Sequence, residues 1–417
     1  MKKHALITAA LLSAAVAGNA AGYQLNLQGL RQLAMGGGGT AYPWDAATLF
    51  YNPAGLSRLN GFEVQGSVLF LMPRVQFVQS GTTGGANDRT VNQTFTPFNV
   101  YAGGTITRNK RLGVGIGIYT PYGSGVKWDN NWTGRFINQN ILLQSFFVQP
   151  TVSYRLNDYV SIGAGYVYAF GNVKIQQAVP VTNANGDEGQ ATLKGNADGM
   201  GYNVGISLKA NEKWSFGITY RSRVDMHVKD GDISFANIPA AAAGTATNPT
   251  FPNTKFDATL PLPEVLSVGV AYKPIPKLTI QADFNLTGWK AYDTLSFNYT
   301  QAVNGSLRNS SPRTYHNRLA SRLGLHYDAT SALEIMAGGA YDPSPAQDGY
   351  VSPDLPDANR IVLTCGLAVR PTKHFAIMAA LEYVTSAKRN ATYLPDGFSG
   401  TYQTKALTPG IGLSYTF

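Results

Sequence analysis

The chain has a single cysteine, Cys365, in 417 residues, so no disulfide can form within it. Charged residues are scarce, at 14%, and there are only five histidines for acid–base or metal chemistry. Outside the first twenty residues these are His227, His316, His326 and His374, and none lies in a His-Glu-x-x-His pattern or beside a nucleophile elbow. His316 and His326 are ten positions apart, which along a strand is roughly 33 Å, too far to share a metal. No catalytic residue, metal site or cofactor is therefore expected, and no enzyme. The formal charge of +9 comes from scattered Lys and Arg, without the basic stripe that a nucleic-acid partner requires. Beyond residue 20 no apolar run reaches the roughly 20 residues of a membrane-spanning helix, and long helical periodicities are missing.

What is present begins with an export signal over 1–20. Lys2 and Lys3 open it, an apolar stretch over 5–16 follows, and Gly18-Asn19-Ala20 supplies small residues for cleavage after Ala20. The mature chain is rich in glycine (45) and tyrosine (23). From residue 62 it alternates apolar and polar side chains, the period of strands. Leu278, Ile280, Ala282, Phe284 and Leu286 share one face, and Thr279, Gln281, Asp283 and Asn285 the other. Six short polar connections, at 108–110, 156–158, 210–213, 273–276, 328–330 and 371–373, alternate with seven long loops. The loops fall near 80–92, 121–140, 180–190, 231–254, 301–312, 343–358 and 392–399. Outer-membrane barrels have short periplasmic turns and long extracellular loops. Thirteen such connections give an all-β fold: a fourteen-stranded antiparallel transmembrane barrel over 62–417, with both ends periplasmic, in the outer membrane of a Gram-negative cell. Cys365 falls on the lipid-facing phase of its strand. The last strand places Ile411, Leu413, Tyr415 and Phe417 on one face, which resembles the closing signal read by the barrel-assembly machinery, an expected partner during biogenesis.

Residues 21–61 do not alternate. Two helical pieces are expected, about 24–35 and 45–58, joined flexibly at Gly36-Gly37-Gly38-Gly39; Asp45 would cap the second and Pro53 would end or kink it at Asn52. Leu25, Leu27, Leu30, Leu33, Leu49, Phe50, Tyr51 and Leu56 make the segment too apolar for a free tail. Glycines on the inner wall, Gly113, Gly115, Gly117, Gly163 and Gly165, leave room for packed chain. A plug inside the lumen follows.

Several motifs then point to one family. Ala21-Gly22-Tyr23-Gln24-Leu25-Asn26, Asn52-Pro53-Ala54, Pro356-Asp357-Ala358-Asn359-Arg360 and Gly400-Thr401-Tyr402 resemble the long-chain fatty acid transporter (FadL) family over essentially the whole mature chain. The resemblance implies a monomeric barrel with an N-terminal hatch whose gate is Asn52, Pro53 and Ala54. It implies passive uptake of fatty acids or monoaromatic hydrocarbons. It also implies an inward kink in the third strand, here about 111–120 and followed by Pro121, that opens a lateral exit to the bilayer. A general porin for polar solutes and a lipid-modifying enzyme are the competing readings.

Counting outward from Trp214, Phe216, Ile218 and Tyr220 places Arg221, Arg223, Asp225 and His227 in the lumen. The same reasoning places His316, Arg318, Arg322 and His326 there. Arg221, Arg223, Arg318 and Arg322 could hold a carboxylate by charge-assisted hydrogen bonds, or could pair with lumen acids such as Asp283, Glu334 and Glu382 or with plug carbonyls. Ile233, Phe235 and Ile238, in the longest loop, are candidates for the first contact with a hydrophobic ligand. Besides that ligand, the expected surroundings are outer-membrane lipid and lipopolysaccharide.

Overall fold

The computed structural model describes residues 22–80, 86–107, 109–245 and 248–417; the expected signal segment lies outside them. A barrel of fourteen antiparallel strands closes on itself. In chain order these are β1 (Phe62–Leu69 continuing as Met72–Gln79), β2 (Asn87–Arg89 and Phe98–Thr105), β3 (Leu112–Tyr119 and Gly123–Lys127), β4 (Asn140–Arg155), β5 (Val160–Thr182) and β6 (Glu188–Lys209). Then come β7 (Trp214–Arg221 and Val224–Ala236), β8 (Thr254–Leu262 and Val265–Ile275), β9 (Leu278–Thr287 and Thr294–Val303) and β10 (Ser306–Pro312 and Arg318–Asp328). The last four are β11 (Leu333–Asp342), β12 (Arg360–Val369), β13 (Phe375–Ser386 and Arg389–Tyr393) and β14 (Phe398–Thr416). Each pairs with its sequence neighbours, and β14 returns to β1 through Glu63↔Thr416 to Leu69↔Gly410 and Met72↔Leu407 to Gln79↔Gly400. Closure removes the unpaired edges that no strand can leave in hydrocarbon.

The outer wall is apolar where a soluble protein would be polar. Ile218, Leu323, Leu363 and Ile411 keep 51, 55, 56 and 58% of their surface exposed, while the alternate positions Thr279, Gln281 and Asp283 are buried inside. This inversion is the signature of a lipid-facing barrel. Cys365 is on the exposed outer face.

Two of the expected long loops are largely strand, and a third begins as strand. The 180–190 loop is a turn at the end of β5 and β6, which pair as far as Thr182↔Glu188. The 301–312 loop is a hairpin paired to Val303↔Ser306. Of 231–254, residues up to Ala236 belong to β7. The extracellular segments keep ladder bonds because unpaired backbone groups are costly wherever water is excluded.

A register slip in β7 corrects the expected orientation of Arg223, Asp225 and His227. Arg221 pairs with Asn203, but His227 pairs with Asp198, so β7 carries one extra residue around Ser222 and Arg223. One added residue sends every later side chain to the opposite face. Val224, Met226 and Val228 are buried inside, and Arg223 and His227 are exposed. His316 also lies outside the lumen network; it precedes the second half of β10, is exposed, and contacts Gln347 Nε2 at 2.7 Å.

Candidate functional site

Residues 22–59 occupy the lumen, in shorter helices than expected. Residues 23–25 are extended because they pair with the wall: Leu25 N donates to Pro121 O (2.9 Å) and Gly123 N donates to Tyr23 O (2.9 Å). The first helix, α1, is Leu30–Ala34, and it ends where Gly36 and Gly37 take φ of 75° and 76°, a left-handed conformation that suits glycine. The four-glycine stretch is pinned rather than free. Gly36 N donates to Thr364 Oγ1 (2.8 Å), Gly38 O accepts from Gln281 Nε2 (2.8 Å), and Gly39 N and Thr40 N donate to the Asp283 carboxylate. Helix α2 is Thr48–Tyr51, opened by Asp45, whose Oδ1 accepts from Ala47 N (3.0 Å). Pro53 stops it and starts a 3-10 turn, Pro53–Arg58.

Asn52, Pro53 and Ala54 join this segment to the wall. Asn52 Nδ2 donates to Thr40 O (2.9 Å) and to Ile206 O of β6 (3.0 Å), while its Oδ1 accepts from Ala54 N (3.1 Å). Ala54 O accepts from Ser153 Oγ and Ser161 Oγ, each at 2.9 Å. The inner-wall glycines make this approach possible. A Cβ on Gly163 would lie 2.5 Å from Ala54 N, and one on Gly113 would lie 2.6 Å from Ser57 N. Gly115 and Gly117 face Leu56 and Leu49, whereas Gly165 is filled by its own wall, Gln149 and Thr151.

An ionic knot holds the periplasmic side. Arg31 on α1 meets Asp45 (3.1 Å), Glu63 of β1 (3.9 Å) and Glu334 of β11 (2.9 Å). Glu334 is shared with His326 Nε2 (3.1 Å) and Arg370, and the Trp44 ring lies 4.4 Å from that imidazole, tilted 38° to it. Nothing in the spacing of these residues announces the knot, because its members come from four distant parts of the chain. Burial pushes the Tyr51 phenol well above its usual range, so it stays a donor, to Gln28 O at 2.6 Å.

The four candidate arginines do not converge. Arg221 donates through Nη2 to Phe50 O (2.7 Å) and lies 3.7 Å over the Phe50 ring. Arg322 donates to Gly36 O (3.0 Å) and Asn285 Oδ1 (3.0 Å). Arg318 donates to Ser344 O (3.0 Å), and Arg223 pairs with Asp225 (2.6 Å) on the outer face. Two of the four therefore bind backbone carbonyls of residues 22–59. Of the loop candidates, Ile233 is buried in β7 with Leu193, Val228 and Phe256. Phe235 packs on Phe251 at 5.3 Å, and Ile238 is half-buried beside Gly189.

Two cavities border residues 22–59. One, of about 70 Å³, is lined by Ile141, Leu143, Val173, Met226, Leu260 and Phe297 among others, and Asp354 is its only ionisable group besides tyrosine. The other is larger, about 560 Å³. Arg322, Arg360, Asp342 and Glu382 line it in the lumen, Leu25, Leu27 and Leu71 follow, and Thr94–Phe98 and Gly123–Val126 line it in the wall. There the wall is parted. The β2–β3 ladder runs from Thr105↔Gly113 to Asn99↔Tyr119, stops, and resumes only at Thr90↔Trp128. Over 120–123 β3 bends inward to bond residues 23–25 instead, and Phe95 pairs back with Leu71 of β1. The Phe95 ring covers the parting, 2.7 Å (Cε1) from where a Gly125 Cβ would stand. Arg360 was missed as a site candidate; its place at the end of the 356–360 motif was the available signal.

A family model described as outer membrane protein transport protein (OMPP1/FadL/TodX) matches residues 11–417. The long-chain fatty acid transport protein of Escherichia coli is 24% identical, with 100% of both chains covered. Among solved structures, a Pseudomonas aeruginosa FadL homologue superposes with a TM-score of 0.79 at 18% identity, covering 95% of this chain and 100% of that one. The toluene transporter TodX of Pseudomonas putida gives 0.73 at 16% identity, covering 93% and 98%.

Proposed function

We propose that this chain, which belongs to the OMPP1/FadL/TodX family and is an outer-membrane transporter of hydrophobic compounds rather than an enzyme, takes up long-chain fatty acids and releases them sideways into the bilayer. The observation that carries this reading is the cavity of about 560 Å³ that reaches from Arg322 and Arg360 to the parting between β2 and β3. A carboxylate at the inner end would meet Arg322 Nη2, which makes no hydrogen bond among the described residues. The chain would lie along Leu25, Leu27 and Leu71 toward Phe95. Lateral release keeps apolar surface out of periplasmic water, a difference of about 0.8 kcal/mol per methylene. Residues 22–59 act as the plug, with Asn52, Pro53 and Ala54 as its hinge on the wall, and the protein works as a monomer without a cofactor.

A second reading, uptake of monoaromatic hydrocarbons, is favoured by the apolar cavity of about 70 Å³ with no cation in its lining, and by the bonds the four arginines already make. Binding of oleate and of toluene to the purified protein, with Arg221, Arg223, Arg318, Arg322 and Arg360 each changed to alanine, separates the two. A charge-assisted hydrogen bond contributes about 1.5–3 kcal/mol, so Arg322→Ala should weaken oleate roughly tenfold or more and leave toluene unchanged. Unaltered oleate binding in both Arg322→Ala and Arg360→Ala would remove the carboxylate reading.

A further inference from the structure

The slip in β7 builds a feature on the outside of the barrel as well as inside. From the outward-facing register of β4 to β7 we infer a binding site for the phosphorylated glycolipid of the outer leaflet, with its acyl chains on an aromatic floor and its phosphates among Lys174, Lys194 and Lys229.

The floor is made of three rings on the lipid face. Phe146 of β4 lies 5.6 Å from Phe170 of β5, and Phe170 lies 6.1 Å from Tyr168. Outward residues of β5 run apolar from Ile162 through Tyr166 and Tyr168 to Phe170, then turn polar at Asn172 and Lys174. Eight residues of tilted strand rise roughly 20 Å, most of the ~25 Å apolar band of such barrels, so Phe170 marks its outer edge. Directly above it lies a groove of about 500 Å³ lined by the three rings, Gly171, Asn172, Asn196, Ala197, Asp198, His227 and Lys229.

The strand pairing stacks these side chains in rows. Phe170 pairs with Asp198, and Asp198 with His227. One step higher Asn172 pairs with Asn196, and one step above that Lys174 pairs with Lys194. Two lysines directly opposite one another on adjacent strands repel. Among the described residues neither side chain makes an ion pair or hydrogen bond, and neither does that of Lys229. Of the acids nearby, Asp232 stands opposite Lys194 but pairs with Lys255, Asp225 pairs with Arg223, Asp198 stands opposite His227, and Asp257 accepts from Asp230 N. Three cations in no ion pair among the described residues, set above exposed aromatic rings at the edge of the apolar band, match a lipid that carries phosphates above acyl chains. The groove depends on the bulge, since unbroken alternation from Arg221 would have turned His227 and Lys229 into the lumen.

The test is titration of the purified full-length protein with bis-phosphorylated lipid A, followed by native mass spectrometry. At roughly fivefold per surface lysine, Lys174→Gln/Lys194→Gln/Lys229→Gln together should weaken binding about 100-fold. Dephosphorylated lipid A should bind the wild type and the triple variant alike. Lys209→Gln/Lys273→Gln, at the opposite end of the barrel, should leave lipid A binding as it is. The heat-shifted mobility of a folded barrel in gels confirms that each variant is closed. Binding of lipid A by the triple variant within twofold of the wild type would overturn the inference. So would full displacement of lipid A by millimolar inorganic phosphate, which would indicate a simple anion site.

Discussion

Replacing Gly163 by alanine should loosen the internal segment while leaving the wall closed. The added Cβ would stand 2.5 Å from Ala54 N and 2.6 Å from Pro53 O, about 0.9 Å inside the 3.4 Å of ordinary contact. Both neighbours are backbone, so Pro53 and Ala54 themselves must move. Ala54 O receives hydrogen bonds from Ser153 and Ser161 at 2.9 Å, and a shift of that size carries both beyond bonding range. Two neutral hydrogen bonds at about 0.5–1.5 kcal/mol each, with about 1–3 kcal/mol for overpacking, give roughly 2–6 kcal/mol against the seated plug. The lower figure is already about 30-fold in the population of unseated states. The β5 ladder itself does not involve the side chain, so the barrel should keep its heat-shifted mobility. Single-channel recording in planar bilayers reads the outcome. The wild type should be mostly silent and Gly163→Ala should show frequent openings. Equal silence in both, together with unchanged amide exchange over 53–58, would refute the reasoning.

Arg31→Met removes the cation that meets all three carboxylates, and losing one partner of a buried ionic network costs about 3–5 kcal/mol; a lower melting temperature and raised conductance should appear together, whereas a silent, equally stable variant would show that the knot holds nothing. At the extracellular side, Arg313 binds Asp354 through two hydrogen bonds of 3.0 and 2.9 Å. Burial alone would raise the Asp354 pKa, but Arg313 and Ser352 hold the carboxyl below its usual range. A depressed folded value stabilises the 343–359 loop fully above the ordinary aspartate pKa of about 3.9, and that contribution is lost as pH falls through the folded value. Trp128, whose Nε1 donates to Pro353 O at 3.1 Å, should report loop release by fluorescence below about pH 4 and no change between pH 7 and 5. An identical acid profile in Asp354→Asn would rule the pair out as the cause.

The barrel was legible because lipid imposes one demand on every strand, an apolar outer face, and that demand repeats along the chain. Strand count, closure and the inner-wall glycines followed from it. The slip in β7 was not legible, and the reason is specific. Apolar residues occupy every even position from Trp214 to Val228 except Ser222, so the alternation resumes in the same phase while its meaning reverses after Arg221. Below the slip the apolar face meets lipid, and above it the same phase lines an apolar cavity. The partners of Arg221 and Arg322 were equally hidden, since backbone carbonyls of the plug carry no residue-type signal. Asn52-Pro53-Ala54 stood out only through its resemblance to the family's hatch motif; the residues themselves gave no more than a helix end at Asn52, because Pro53 cannot continue the helix.

We propose that ligand leaves through the parting between β2 and β3, and stapling that parting shut decides it. In a Cys365→Ser background, Phe95→Cys and Gly125→Cys place two thiols across the opening, where a short bifunctional maleimide can join them. Oleate uptake into vesicles carrying the joined protein should fall to the rate of protein-free vesicles, and the Phe95→Cys protein treated in the same way should keep its rate. Uptake by the joined protein at the rate of the unjoined one would contradict lateral release.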